Sequence, residues 1–551
     1  MSMRRWIAAA GAVAVAVMGS ARGQENSTNV VFIVVDDLKP ALGSYGDPVA
    51  DTPAMDALIS RGLRMDNTHS QKPECAPSRA SMLTGMRNDE LRVWGFNEDF
   101  RKLNPKLDSL PGWLRRNNYR TESVGKIWDN RYFDSDKKGD VCGSDDDIYC
   151  SFDNVIIQND FFDEGNTLCD GHHARRWPSG KFSSSEKFAA LLSEFNNSFD
   201  EYHVDYCTRV VAMDRLRYLA EEDTPFFLGI GFAKPHMPWV APKRDFDKFR
   251  VVPDHALEPP PGFHTGSDDI DAIQDFWSET NPGTEPKDNG ELESYDGYAE
   301  WSVADRNRAY YAATRFVDTQ IGEIVKVINE ELSAEVRDNT MIVLWGDHGY
   351  HLGEFNLWGK KTILEHATRV PCAVIPSAGF IKQNPDVQEN LATGSFSTAT
   401  PIDSVDLFPT IVDMVGLDMP ETETAGTSLV PILRNASASI RLASVSQYET
   451  YGDSSMTYSV RTNFYRLIVR LSQTNSGEIN DKTKPSDITG ELYYYPSPGQ
   501  YETVNLFDNP DYAEVREGMI SLIKTSKSDN PDSNWMHLVS PEPPASWDRE
   551  I

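Results

Sequence analysis

The sequence predicts an α/β fold followed by a smaller antiparallel subdomain, and three observations predict it. Near-continuous apolar runs recur at wide spacing, amphipathic helical patterns lie between them, and after about residue 420 the texture changes to short β-prone pieces separated by turn residues. The apolar runs are Val30 to Val35, Phe226 to Phe232, Met341 to Trp345 and Cys372 to Ile375. Runs without polar alternation suit strands covered on both faces. Between them, Tyr310 to Leu332 places Phe316, Ile321, Ile324, Val325 and Ile328 on one face at helical spacing. In the closing part, Met456 to Thr462, Tyr465 to Leu471 and Glu491 to Tyr495 are the strand candidates. Residues 135–185, rich in Asp, Gly, Ser and Cys, and 253–300, rich in Pro, Asp and Glu, are expected to be long surface loops.

The chain has 551 residues, and its 25 Phe, 21 Tyr and 12 Trp supply material for a large core. Its formal charge is −31, from 53 Lys+Arg against 84 Asp+Glu. That balance argues against nucleic-acid and anionic-membrane partners, whose phosphates are bound by clustered Lys and Arg. At the start, Arg4 and Arg5 precede an apolar stretch from Trp6 to Met18 and the small residues Gly19, Ser20 and Ala21. Residues 1–23 therefore look like a secretory signal peptide, since a spanning helix needs about 20 apolar residues. The mature protein is expected to be secreted or extracytoplasmic, where disulfides are permitted. It is expected to divide into a catalytic domain, 24–420, and a C-terminal subdomain, 421–551. Asn26, Asn196 and Asn435 head glycosylation sequons that matter only in a eukaryotic host.

Chemistry-bearing residues gather at strand ends. The run Val30 to Val35 leads directly into Asp36 and Asp37, and Met341 to Trp345 leads into Gly346-Asp347-His348-Gly349. Ligands collect at the carboxyl ends of strands in open α/β sheets, and paired carboxylates there suit a hard divalent cation. The densest signal is Cys75-Ala76-Pro77-Ser78-Arg79, continued by Thr84-Gly85. Arg79, one helical turn beyond Cys75, is expected to offer a fixed cation to a transferring group.

That segment resembles the sulfatase signature, Cys-x-Pro-Ser-Arg followed by Thr-Gly after four further residues. The resemblance extends over most of the mature chain and is strongest to the iduronate-2-sulfatase branch. It is carried by Val34 to Asp47, Gly125 to Trp128, Ala233 to Pro238, Asp347 to Glu354, Trp358 to Lys360, Tyr458 to Thr462 and Glu502 to Leu506. It implies an alkaline-phosphatase-like large central mixed sheet flanked by helices, and hydrolysis of sulfate esters of a sulfated sugar or glycan. It further implies that Cys75 becomes formylglycine through a formylglycine-generating enzyme during maturation. Asp36, Asp37, the modified Cys75, Asp347 and His348 would bind a divalent cation: Ca2+ by family expectation, with Mg2+ compatible with the same oxygen-rich set. Lys126, His236 and Lys360 would hold the sulfate, with His236 the acid for the leaving alcohol.

An aldehyde suits this chemistry on general grounds. Its hydrate carries two hydroxyls on one carbon, one to attack sulfur and one whose collapse to a carbonyl expels sulfate; a serine ester lacks the second route. One position departs from the branch pattern: Asp129 stands where a His is expected three residues after the Lys of the Gly-Lys motif. A carboxylate in a sulfate pocket is unfavourable unless protonated, paired or turned away. Two rival readings are a metal-dependent phosphoesterase and a non-catalytic glycan-binding protein. Turnover of an aryl sulfate separates them from a sulfatase. Of the remaining five cysteines, an odd count that leaves at least one unpaired, Cys142 with Cys150 and Cys169 with Cys207 are candidate bridges whose pairing stays open, and Cys372 is expected to be a core thiol.

Overall fold

A computed structural model describes residues 27–129, 150–157, 203–259, 302–392, 397–449, 455–472, 488–495 and 502–524, apart from the single positions 97, 238, 240, 423 and 503. The signal-peptide segment, most of both expected loops, Cys142, Cys169, Asn26 and Asn196 lie outside the described residues. Asn435, the sequon within them, is exposed. Among the described residues, no helix is long and apolar enough to cross a membrane.

The strands are β1 (Asn29–Val35), β2 (Leu63–His69), β3 (Arg120–Gly125), β4 (Asn154–Ile157), β5 (Phe226–Phe232), β6 (Thr340–Gly346), β7 (His351–Leu352), β8 (Trp358–Gly359), β9 (Arg369–Ile375), β10 (Ser397–Thr398), β11 (Ile402–Asp403), β12 (Ser444–Glu449), β13 (Ser455–Arg461), β14 (Tyr465–Ser472) and β15 (Gly490–Tyr494). A nine-stranded mixed sheet has the order β10-β2-β9-β6-β1-β5-β3-β4, with β11 also on β2. Only β9 runs against its neighbours among these strands. The sheet is therefore α/β and mixed, flanked by helices as the resemblance implied.

The unbroken apolar runs have a simple cause. Val30, Phe32 and Val34 of β1 enter the core on one face of the sheet, while Val31, Ile33 and Val35 enter the core on the other. On the second face lie the helices Pro53–Ile59, Val204–Leu219 and Val303–Glu330; on the first lie Cys75–Thr84, Leu110–Arg116 and Leu407–Met414. Strands covered twice lose the polar alternation of half-exposed ones. Phe316, Ile321, Ile324 and Ile328 are buried as the periodicity predicts, although the helix begins earlier than Tyr310, with Ser302 accepting from the Asp305 amide at its start.

The C-terminal strands form a separate antiparallel sheet, β12-β13-β14-β15, whose core is closed by the helix Ala513–Lys524. It is fastened to the main sheet by buried polar contacts. Glu365 accepts from Arg461 Nε at 3.1 Å and from Arg466 Nη2, and its own amide donates to Glu502 Oε1 at 2.8 Å.

Two expectations need correction. The segments taken as loops contain regular structure: residues 154–157 form the edge strand β4, and Asp254–Leu257 a short helix. Such short pieces lack a periodic signal of their own, and β4 gains its hydrogen bonds from β3. Cys207 does not bridge Cys169: it is in no disulfide and is buried on the inner side of the helix Val204–Leu219. Cys150 is disulfide-bonded, to a partner outside the described residues. Cys372 is the buried free thiol expected.

Candidate active site

Four neighbouring parallel strands, β6, β1, β5 and β3, end at one edge and deliver most of the candidate residues there. Asp36 and Asp37 follow β1, Asp347 and His348 follow β6, His236 follows β5 after a short turn, and Lys126 follows β3. The strand ends approach closely: a Cβ on Gly231 would meet the Lys126 carbonyl oxygen at 2.0 Å, so β5 carries glycine there. Cys75 comes from elsewhere, as the first residue of the helix Cys75–Thr84, and Lys360 follows the short β8.

The turn at Asp37 sets the geometry. Asp37 has φ of 59°, a left-handed conformation that costs a non-glycine residue energy but that Asp tolerates better than most. Its amide donates to Asp347 Oδ1 at 3.0 Å, and its carbonyl accepts from the Tyr310 hydroxyl at 2.8 Å. Tyr310 also accepts from the Lys39 amide at 3.0 Å. A hydroxyl on the long helix thus holds both arms of the turn.

The charged groups interlock without exposure to water. Asp36 accepts from Arg79 Nη2 at 3.0 Å and from Lys126 Nζ at 2.6 Å, while Asp347 Oδ2 accepts from Arg79 Nε at 2.9 Å. Arg79 Nη1 donates to the carbonyls of Lys126 and Ile127. These bonds direct it to carboxylates and carbonyls beside the strand ends, where it holds Asp36 and Asp347 in place. Ser78, on the same helix, donates to the Asp347 carbonyl. Burial acts to raise the Asp36 carboxyl, but Lys126, then Arg79, His236 and Lys360, outweigh it and hold the group well below its ordinary range.

Cys75 Sγ is 3.2 Å from His348 Nε2, 3.4 Å from Lys360 Nζ and 4.0 Å from Asp37 Oδ1. Burial, reinforced by Asp36, raises the thiol well above its ordinary value, so the unmodified side chain is not a ready thiolate. Lys360 Nζ reaches Asp37 Oδ1 at 2.7 Å. His348 Nδ1 lies 3.0 Å from the Gly349 carbonyl, which assigns the proton to Nδ1 and leaves the Nε2 lone pair facing Cys75 and Asp37 Oδ1, the latter at 3.4 Å. His236 makes the same kind of bond, Nδ1 to Met237 O at 2.6 Å, with Nε2 4.0 Å from Asp37 Oδ2. Burial, then Lys360, depress its pKa well below the ordinary value.

Two overlapping sets, Asp36-Cys75-Asp347-His348 and Asp36-Asp37-Cys75-His236, each bring one donor atom per residue within 4.8 Å of one another. Each set offers two carboxylate oxygens and an imidazole nitrogen beside the Cys75 sulfur, and carboxylates with an imidazole lone pair fit a divalent cation. Asp129 is paired: it is 2 % exposed, with Oδ2 3.4 Å from Lys126 Nζ. A separate cavity of about 390 Å3, lined by Lys39, Tyr45, Tyr311, Glu354 and His366 among others, contains none of these groups.

A supporting layer lies behind these residues, without a sequence motif for its key carboxylate. Asp205, in the first turn of Val204–Leu219, accepts from the amides of Ala233 and Lys234 at 2.7 and 2.8 Å, and Lys234 Nζ donates to the His236 carbonyl at 2.6 Å. Burial lowers the Lys234 ammonium to about 8. Lys234 sits within the Ala-Lys-Pro-His motif and was legible there, whereas Asp205 had no motif to mark it.

A family model described as sulfatase matches residues 28–417. Iduronate 2-sulfatase of Mus musculus is 27% identical over 427 residues, covering 74% of this chain and 73% of that protein. A sulfatase of Formosa agariphila is 25% identical over 542 residues, covering 92% of this chain and 88% of that protein. A solved structure in complex with its substrate D-glucosamine-2-N,6-O-disulfate superposes with a TM-score of 0.61 at 19% identity, over 92% of this chain and 99% of the other. A phosphonate monoester hydrolase of Agrobacterium radiobacter superposes with a TM-score of 0.62 at 18% identity, over 91% and 95%. At those identities the two structures speak for the fold alone.

Proposed function

This chain belongs to the sulfatase family, and on that premise we propose that it is a secreted hydrolase of sulfated sugars or glycans that works through a formylglycine at position 75 and a divalent cation, Ca2+ in the first place. The observation that carries the reading is the placement of Cys75 Sγ within 3.2–4.0 Å of His348, Lys360 and Asp37, at the edge where four strand ends converge. A formylglycine hydrate supplies a hydroxyl to attack sulfur and a second whose collapse to the aldehyde releases sulfate. Asp36, Asp37, Asp347 and His348 would hold the cation, which would supply positive charge to the reacting groups.

The chain's own residues do the rest. Lys360 and Lys126 place ammonium charge next to position 75 and across from it, where the oxygens of a sulfate group accumulate charge in transfer. Arg79 fixes Asp36 and Asp347 and helps hold Asp36 ionised. His236 is neutral in the free protein, and an anionic ester beside it opposes the field of Lys360 and favours a proton on Nε2, from which the departing alcohol is protonated. Sulfated sugars enter through the relatives: an N-acetylglucosamine-6-O-sulfatase of Bacteroides thetaiotaomicron matches over 92% of this chain at 23% identity. The apolar stretch at residues 6–18 supports export. The test is release of inorganic sulfate from a panel of defined sulfated saccharides and an aryl sulfate. Failure to release sulfate from every member, by protein carrying formylglycine, refutes the reading.

A further inference from the structure

The ammonium of Lys126 lies between two carboxylates, Asp36 Oδ2 at 2.6 Å and Asp129 Oδ2 at 3.4 Å. All three side chains are at most 5 % exposed, so water screens little of their field. Around the strand ends the carboxylates of Asp36, Asp37, Asp129 and Asp347 face the cations of Arg79, Lys126 and Lys360. Asp36, Asp37 and Asp347 have the metal-facing geometry described above, but Asp129 is not in either candidate ligand set. Its charge acts instead on Lys126, one of the cations assigned to the sulfate.

The fold does not decide which tetrahedral anion is taken, since a phosphonate monoester hydrolase shares it at a TM-score of 0.62. Sulfate and phosphate monoesters have nearly the same shape. They differ in charge: a sulfate monoester carries one negative charge, whereas a phosphate monoester carries about −1.5 to −2 at pH 7, its second pKa being about 6. A site with surplus positive charge gains more from the dianion. One whose lysine is already shared between two carboxylates gains less, and a buried extra carboxylate repels a dianion about twice as strongly as a monoanion.

We propose that Asp129 is a specificity-determining residue that, by neutralising Lys126, sets the active site to prefer monoanionic sulfate esters over dianionic phosphate monoesters. This rests on the sulfatase reading for the identity of the reacting group, but the charge preference is measurable without turnover. The experiment uses the mature, metal-loaded protein and two matched pairs of probes. Methyl sulfate and methyl phosphate are titrated calorimetrically, and 4-nitrophenyl sulfate and 4-nitrophenyl phosphate are compared by kcat/KM.

At about pH 8, where the phosphate esters are dianions, wild type should bind methyl sulfate at least about tenfold more tightly than methyl phosphate, and the gap should narrow toward about pH 5. Asp129→Asn, which keeps the shape and removes the charge, should move both ratios toward phosphate by about tenfold or more. Asp129→Glu, which keeps the charge, should hold the wild-type preference. Equal binding of the two methyl esters by wild type at the higher pH overturns the proposal. So does an Asp129→Asn protein whose ratios stay within about twofold of wild type. The wild-type comparison stands even if a variant does not fold. A wild type that prefers methyl sulfate yet releases sulfate from no ester refutes the sulfatase reading instead and leaves the charge preference in place.

Discussion

Arg79→Met tests the interlocked charges most directly. The guanidinium bridges Asp36 at 3.0 Å and Asp347 at 2.9 Å, with all three side chains fully buried. Removing one partner of a buried pair costs about 3–5 kcal/mol, because the charge left behind has neither water nor counter-ion. Asp36 keeps Lys126, and Asp347 keeps the amides of Asp37 and His348, which holds the total to that range rather than twice it. Urea unfolding in the presence of a chelator should show the full loss. Millimolar Ca2+ should restore a large part of it, since a dication held by Asp36 and Asp347 would supply the missing charge. Asp36 is held below its ordinary range in the folded protein, so its contribution is present above the unfolded carboxylate pKa and disappears as pH falls through the folded value. The deficit of the variant should therefore shrink in acid. A loss below about 1 kcal/mol in chelator, or one that Ca2+ leaves unchanged, would show that Arg79 does not hold the carboxylates.

Three further outcomes are expected. Peptide mass spectrometry of active protein should find oxygen in place of sulfur at residue 75, and Cys75→Ser should unfold at the wild-type midpoint yet lose turnover; full activity with an unmodified thiol would end the aldehyde reading. Burial pushes the carboxyls of Asp318 and Glu491 up to about 7, so each contributes stability at low pH that is lost as pH rises through its folded value. Buried histidines such as His69 and His366, pushed down by burial, work in the opposite sense but finish by about pH 7, just above their unfolded pKa. The thermal midpoint of wild type relative to Glu491→Gln, whose side chain still accepts from the Tyr493 hydroxyl, should accordingly fall between about pH 4.5 and 7 and level off above; a difference that climbs over that range contradicts the assignment. Asp205→Asn removes one of the two acceptors that fix the Ala233–His236 turn, and should cut turnover of alkyl sulfates about tenfold or more while sparing nitrophenyl sulfate, whose leaving group needs no acid. Equal losses on both substrates would separate Asp205 from the acid step.

The amino-acid sequence alone determined the elements whose signal is local. An apolar run such as Phe226 to Phe232 needs cover on both faces wherever it lies, and β5 occupies those residues. Carboxylates directly after β1 and β6 had to emerge at strand ends, because the chain allows nothing else. The Cys75 segment was legible because its residues sit within one helix. What tertiary structure decided is which charges meet. Lys126 reaches Asp36 across 90 residues of chain and Lys360 reaches Asp37 across 323, and no periodicity or spacing encodes such a pairing. The bonds of Arg79 to Asp36 and Asp347, and of Lys126 beside Asp129, are of the same kind: they join residues whose local sequence carries no sign of the partner. The meaning of a buried charge depends on its nearest opposite charge, and folding alone brings that neighbour into place.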